Sequence, residues 1–342
     1  MAPGVLLSHP ASLLHDTGAH PERIQRLVAI ERALEARDWL GYAREESPAV
    51  DRAVLERVHP AEYIESIERF CWAGGGALDP DTIAVEATFE AAIRGTGGAV
   101  RMVDALLGGE ARVAGSLHRP PGHHAVRAQA MGFCFFNHVA VAAQRARDEH
   151  GVERVLVFDW DVHHGNGTND IFHARDDVLF VSIHESPLYP GSGPASDSGS
   201  GAGVGYTVNL PVPTRSGNDV FASLTEHVLV PLATAFEPGL ILVSAGYDAH
   251  ADDPLAGCRV TDDGYTAMAG SVRRLADALG VPLGLVLEGG YDVDALSRAL
   301  VRTLEVFGAP VAPSADETLA IHPIAAQAAR RLADRWPSFA AT

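Results

Sequence analysis

Four short segments carry side chains that could do chemistry together. The first, RVLVFDWDVHHGNG over Arg154–Gly167, is an apolar run that ends in Asp159, Asp161 and His163 at i, i+2 and i+4. If the chain stays extended, these three project to one face while Trp160 and Val162 point to the other. Two carboxylates and an imidazole converging in a protein interior form a costly charge cluster without a cation. Zinc accepts both donor types, and a catalytic zinc site uses three protein ligands and one open position. The competing reading of this segment is a helix cap with exposed histidines. The second segment, LILVSAGYDAHADDP over Leu240–Pro254, is another apolar run, ending in Gly246, Tyr247 and Asp248. Asp248 is the natural third ligand. His250, Asp252 and Asp253 just beyond read as a solvated acidic turn.

The third segment, RPPGHH over Arg119–His124, is stiffened by two prolines and a glycine. Adjacent His123 and His124 cannot both pack in a core, and on a rigid loop they suit general acid–base work tuned by nearby carboxylates. In the fourth, LEGGYD over Leu287–Asp292, a strand exits through two glycines and displays Tyr291. A tyrosine hydroxyl can donate to a developing oxyanion without carrying charge; the plainer reading is an aromatic at a helix start.

Something must bring these segments together. Apolar runs at Val5–Ser8, Arg112–Ser116, Arg154–Asp161, Val178–His184, Tyr206–Pro211, Leu240–Asp248 and Leu283–Glu288 read as strands covered on both faces. Helical patterns lie between them, at 21–38, 61–72, 84–107, 137–150, 218–236, 262–279 and 292–307, with a last one at Ile321–Trp336. The alternation predicts one α/β domain over residues 1–342, mainly a parallel sheet with helices on both faces and a C-terminal extension at 310–342. The candidate residues fall at the carboxyl ends of the strands, where open α/β sheets bind ligands. Pro190–Gly205, dense in glycine and serine, reads as one mobile surface loop.

Composition narrows the chemistry. The chain has 342 residues and a net charge of −18, and all 26 of its basic residues are arginines. With no lysine there is no Schiff base and no phosphate-loop lysine. The acidic excess disfavours nucleic acid. A hydrophobic share of 47% is ample for a large core. Cys71, Cys134 and Cys258 form no CxxC pair, which fits a reducing compartment. No signal peptide and no run long enough to span a bilayer are visible, so a cytoplasmic protein without a membrane role is expected.

RPPGHH, GFCFFN (Gly132–Asn137), DWDVHHGNG, SAGYDA and LEGGY, in this order, resemble the histone deacetylase family. The match is closest to its class II branch and to bacterial deacetylase-like amidohydrolases, and HDTGAHPERIQRL (His15–Leu27) looks like that branch too. The resemblance covers about residues 5–307. It implies an arginase/deacetylase-like fold, one catalytic Zn2+ on Asp161, His163 and Asp248, and a structural K+ near Asp159, Asp161 and His163. It makes His123 and His124 the catalytic pair, with Asp159 orienting His123, Asn166 partnering His124 and Tyr291 stabilising the transition state. Phe133 and Tyr189 would flank an acyl-lysine tunnel beside Gly132. Leu255 falls where polyamine-selective relatives carry a glutamate, which favours acyl-lysine peptides or small N-acetyl amines over acetylpolyamines. The other readings are an acetylpolyamine amidohydrolase, a binuclear-manganese ureohydrolase and a metal-binding protein without catalysis. Whether the chain forms a homo-oligomer, and whether His250, His15–Arg23 or Pro190–Gly205 shapes the pocket, stays open at this level.

Overall fold

A computed structural model of the chain describes residues 4–339. Its strands are β1 (Val5–Ser8), β2 (Ala43–Glu46), β3 (Gly76–Ala77), β4 (Ile83–Ala84), β5 (Val113–Ser116), β6 (Val155–Asp159), β7 (Val178–Glu185), β8 (Thr207–Val212), β9 (Leu240–Ala245) and β10 (Leu283–Leu287). Eight of them form one parallel sheet in the order β2-β1-β5-β10-β9-β6-β7-β8, while β3 and β4 pair apart as an antiparallel ladder. Every residue of β5, β6, β7, β9 and β10 is buried. That is why those runs are continuously apolar rather than alternating.

Alternate residues of each strand feed two cores. On β6, Leu156 and Phe158 enter one cluster with Ile30, Met268 and Leu300, while Val155 and Val157 enter the other with Ile64, Met102 and Val141. Helices Ala61–Trp72, Thr88–Leu107 and His138–His150 cover the second face, and Gln25–Glu35, Asp262–Leu279 and Val293–Gly308 the first. The expected helix over 218–236 is continuous but passes through a π turn at Thr225–Leu229. Pro231 has no N–H to return to residue 227, which accounts for the slip in the ladder. No helix among the described residues is long and apolar enough to cross a membrane.

Three expectations change. Strand β2, the polar AREE, pairs through its backbone to β1 at the sheet edge and has no apolar pattern to betray it. Strands β6 and β9 stop at Asp159 and Ala245, so Asp161, His163 and Asp248 lie beyond extended chain. Asp159 ends β6 itself, its Oδ1 accepting from the Asp161 N–H at 3.1 Å in a local side-chain turn. Finally, residues 190–205 are not a free spacer: scaffold side chains tie them down at several points.

The strand order is what gathers the motifs. Strands β5, β10, β9 and β6 are consecutive neighbours, so the segments that follow them emerge side by side. They are far apart in the chain because β9 and β10 are inserted between β5 and β6 after the chain has already built β7 and β8.

Candidate active site

Past β6 and β9 the chain turns inward. Asp161 Oδ1 accepts from the His163 N–H at 2.9 Å and its Oδ2 from the Gly289 N–H at 2.8 Å. Asp248 Oδ1 accepts from the Val162 N–H at 2.8 Å. Asp161 thus has two backbone donors and Asp248 one, and each carboxylate also has an oxygen 3.1 Å from His163 Nδ1. Ligand atoms of Asp161, His163 and Asp248 lie within 4.8 Å of one another, and all three residues are buried. Glycine is required at the rim of this cluster, since a Cβ at Gly246 would collide with Asp161 Oδ2 and one at Gly289 with Asp248 Oδ2. Burial alone would lower the His163 pKa, but its bonds to Asp161 and Asp248 push it up to about 10. In the chain by itself the imidazole therefore acts as the cation between two carboxylates. Two oxygens and one imidazole nitrogen in a buried pocket are a donor set that fits zinc, with room for a fourth ligand.

The two tandem histidines differ in their surroundings. His123 Nδ1 donates to Asp159 Oδ2 at 3.0 Å. Burial disfavours the charged ring, yet the carboxylates of Asp161 and Asp159 outweigh it and raise His123 to about 10. His124 Nδ1 donates to Asn166 Oδ1 at 2.8 Å, and Asn166 Nδ2 returns a bond to the His124 carbonyl at 3.3 Å. Burial, reinforced by positive charge on His123 and His163, holds His124 well below the usual histidine range. With Nδ1 engaged as donor and the ring neutral, Nε2 keeps a free lone pair. The rings are 4.0 Å apart, so only one of them can comfortably be charged.

A cavity of about 350 Å³ opens over these groups, lined by His124, His163, Gly132, Phe133, Leu188, Tyr189, Leu255 and Tyr291 among others. Tyr291 meets Phe133 edge-on at 5.7 Å, and Tyr189 meets His124 edge-on at 5.2 Å. Gly132 and Phe133 both have positive φ, 55° and 68°, and the Phe133 N–H donates to Thr82 Oγ1 at 3.2 Å. His20 and Pro21 also line the cavity, so the His15–Arg23 segment forms part of its rim. Seven of the twelve residues singled out in the sequence line this cavity; Asp161, Asp248 and Asn166 are bonded to His163 or His124, and His123 with Asp159 lies one step behind them.

Several residues of this assembly were not foreseen. Glu288, at the end of β10, accepts from the Gly122 and His123 N–H groups at 2.7 and 3.1 Å and from Ser244 Oγ at 2.8 Å. A carboxylate closing an apolar strand was the available signal. Asp253 corrects the solvated-turn reading. It is buried, and its carboxylate accepts from the N–H groups of Leu255, Tyr291 and Asp292. His250 is buried as well, bonded to Asp262 at 3.1 Å; Asp252 alone is exposed. Beneath Tyr291 lies Arg26, its guanidinium 5.1 Å from the tyrosine ring and its Nε donating to the Gly290 carbonyl at 2.6 Å. Glu22 binds both Arg26 and Arg119.

Comparison with known proteins places the whole arrangement. The histone deacetylase domain model matches residues 20–307. A histone deacetylase-like amidohydrolase of Pseudomonas aeruginosa is 42% identical over 82% of this chain and 74% of its own length. A chloroplastic histone deacetylase 14 of Arabidopsis thaliana is 38% identical over 86% and 74%, and a probable deacetylase of Methanothermobacter thermautotrophicus 38% identical over 86% and 88%. The crystal structure of the HDA15 HD domain superposes with a TM-score of 0.92 at 31% identity, covering 99% of this chain and 97% of that one. The eight-stranded sheet is thus the fold of that domain, and the chain belongs to the histone deacetylase family.

Proposed function

We propose that the chain is a zinc-dependent hydrolase of the amide in N-acyl-lysine side chains or related small N-acetyl amines. The observation that carries this reading is the convergence of Asp161, His163 and Asp248 at the floor of a cavity that His124 and Tyr291 also line. Asp161, His163 and Asp248 would hold the ion. A zinc there would supply Lewis acidity, polarising a carbonyl and lowering the pKa of water toward ~7.

The chain's own groups do the rest. His124 Nε2 accepts the proton of the attacking water, because Nδ1 is committed to Asn166. The same nitrogen then delivers that proton to the departing amine. His123, paired with Asp159, keeps positive charge beside the reacting carbonyl and holds His124 neutral until it takes its proton. The Tyr291 hydroxyl donates to the oxygen of the tetrahedral intermediate, a type of contact whose loss costs about 2.7–4 kcal/mol elsewhere. Phe133 and Tyr189 exclude water along the substrate's alkyl chain, and the Gly132 carbonyl can accept the substrate's amide N–H.

Two features bear on the amine. Leu255 lines the mouth and offers no carboxylate, which supports acyl-lysine over an acetylpolyamine. Asp81 also lines the cavity, so a substrate carrying a second ammonium still finds one negative group. A binuclear ureohydrolase is less well supported, because Asp159 is committed to His123 and the described residues hold one cluster of three potential ligands. The test is a panel of acetyl-lysine peptides, longer acyl-lysines, acetylputrescine and acetylspermidine with zinc-loaded protein. Faster release from the lysine amides is expected. Preference for the polyamines would move the assignment to them, and hydroxamate binding without release of any amine would leave a non-catalytic metal protein.

A further inference from the structure

Residues 190–205 follow directly on Tyr189, whose ring lines the cavity. They form no regular element beyond a short turn at Gly201–Gly203. A stretch so rich in glycine and serine loses much entropy on ordering, so its course must be imposed by the scaffold. Three histidines do this. His184, on β7, accepts from Ser182 Oγ at 2.9 Å through Nδ1 and donates to the Gly193 carbonyl at 2.9 Å through Nε2. The His164 ring lies 4.7 Å from it, with Nδ1 bonded to Ser192 Oγ at 2.8 Å. Gly193, at φ +76°, sits directly on the pair, and a Cβ there would come within 2.6 Å of His164 and 2.8 Å of His184. Farther along, Asp197 accepts from His173 Nε2 at 2.7 Å and from Asn169 Nδ2 at 3.2 Å, and its carbonyl accepts from Asn209 Nδ2 at 3.1 Å.

Behind this clasp lies a second cavity of about 450 Å³, lined in part by Met131, His164, Asn166, Pro190 and Asp197. Their immediate neighbours line the active-site cavity: Gly132 follows Met131, His163 precedes His164, Tyr189 precedes Pro190, and His124 is bonded to Asn166. These adjacent or directly bonded residues form a wall shared by the two cavities. At Tyr189–Pro190 that wall belongs to no helix or strand, and open volume lies behind it.

We infer that Asp197 with His173, and the His164–His184 saddle under Gly193, are positioning residues that hold Tyr189 against His124 and so set the width of the substrate channel. This rests on the amide-hydrolase reading for the channel's use, though not for the clasp itself. Releasing the clasp lets Tyr189 retreat toward the second cavity, widening the channel without touching the reacting groups.

The decisive variant is Asp197→Ala in the full, zinc-loaded chain, with Ser192→Ala as a milder release should the first not fold. Amide exchange over residues 188–200 should accelerate about tenfold or more while the strands stay protected. The affinity ratio of a branched-linker hydroxamate to a linear alkyl one should shift about tenfold toward the branched compound. The KM for an acetyl-lysine amide should rise with kcat nearly unchanged. His173→Gln, which keeps a donor for Asp197, should retain the parent ratio. Added to Tyr189→Ala, Asp197→Ala should shift the ratio no further, since both act through one side chain. Unchanged exchange, or full additivity with Tyr189→Ala, overturns the inference. If no hydroxamate binds even the parent, the amide-hydrolase reading falls, and the exchange result alone supports or overturns the clasp.

Discussion

Two clusters of buried charge lie within bonding reach of each other and are built on opposite principles. Around Glu22, one carboxylate is held between two guanidiniums and every group is spent. The carboxylate faces Arg119 and Arg26, with His15 at 3.5 Å, and the remaining guanidinium N–H groups donate to the carbonyls of Ser12, His15, Glu288 and Gly290. Burial would raise the Glu22 pKa, but Arg119, the His15 bond and Arg26 together hold it well below the carboxylate range. Around His163 the balance is left open. Asp159, Asp161, Asp248 and Glu288 are all buried, with only the imidazoles of His123 and His163 against them, and one side of the cluster faces a cavity. Buried charges that close on each other make structure; a buried surplus facing a cavity invites an ion. The first cluster also supports the second, since Arg26 pins the backbone on either side of Gly289 and Arg119 begins the loop that carries His123 and His124.

Removing one charge from each cluster should expose the difference. Asp161→Asn is expected to have the largest effect on function: bound zinc falls far below one equivalent and turnover is lost, while the fold persists because the amide keeps the side chain's shape. Retention of stoichiometric zinc would remove Asp161 from the ligand set. Glu22→Gln should do the reverse, destabilising the fold by about 3–5 kcal/mol, as when one partner of a buried ion pair is removed. Denaturant titration checks this, and an unchanged midpoint would show that the cluster is not a structural tie. Tyr291→Phe should keep both zinc and stability and lower kcat about 10²–10³-fold; a full rate would exclude the hydroxyl from the mechanism.

The smallest expected effect separates both clusters from the neutral polar interior. His59, His118 and His138 are buried and bonded to a backbone carbonyl or to hydroxyls, and desolvation lowers them to about 4, 3 and 4. Their folded pKa values lie below the unfolded value near 6.5, so the unfolded chain takes up protons first as pH falls. The stability they contribute is intact above pH 6.5 and erodes toward pH 4, at up to about 1.4 kcal/mol per pH unit for each histidine. Urea midpoints between pH 7.5 and 5 should decline accordingly, and a flat profile would contradict the assignment of neutral rings.

Much of the site was legible because polar residues at the ends of apolar strands break a strong pattern. Asp159, Asp161, His163 and Asp248 stand out for that reason, and Tyr291 follows a pair of glycines. What stayed hidden depends on distant partners. Glu22 and Arg119 are 97 residues apart, and neither looks unusual until a loop brings them together. Asp253 resembles any acid in a turn until three backbone N–H groups converge on it. The clasp on residues 190–205 was missed for the same reason, because glycine and serine signal flexibility whereas the restraint comes from histidines on other elements. Strand β2 carries no side-chain signal, since an edge strand can pair through its backbone alone.

The open cluster is expected to hold one catalytic zinc. Titrating zinc into chelator-treated protein, while following both bound metal and release from an acetyl-lysine amide, tests it directly. One equivalent should bind and restore full turnover in the parent, with neither binding nor turnover in Asp161→Asn. Full activity without added metal, or a requirement for two equivalents, would contradict it.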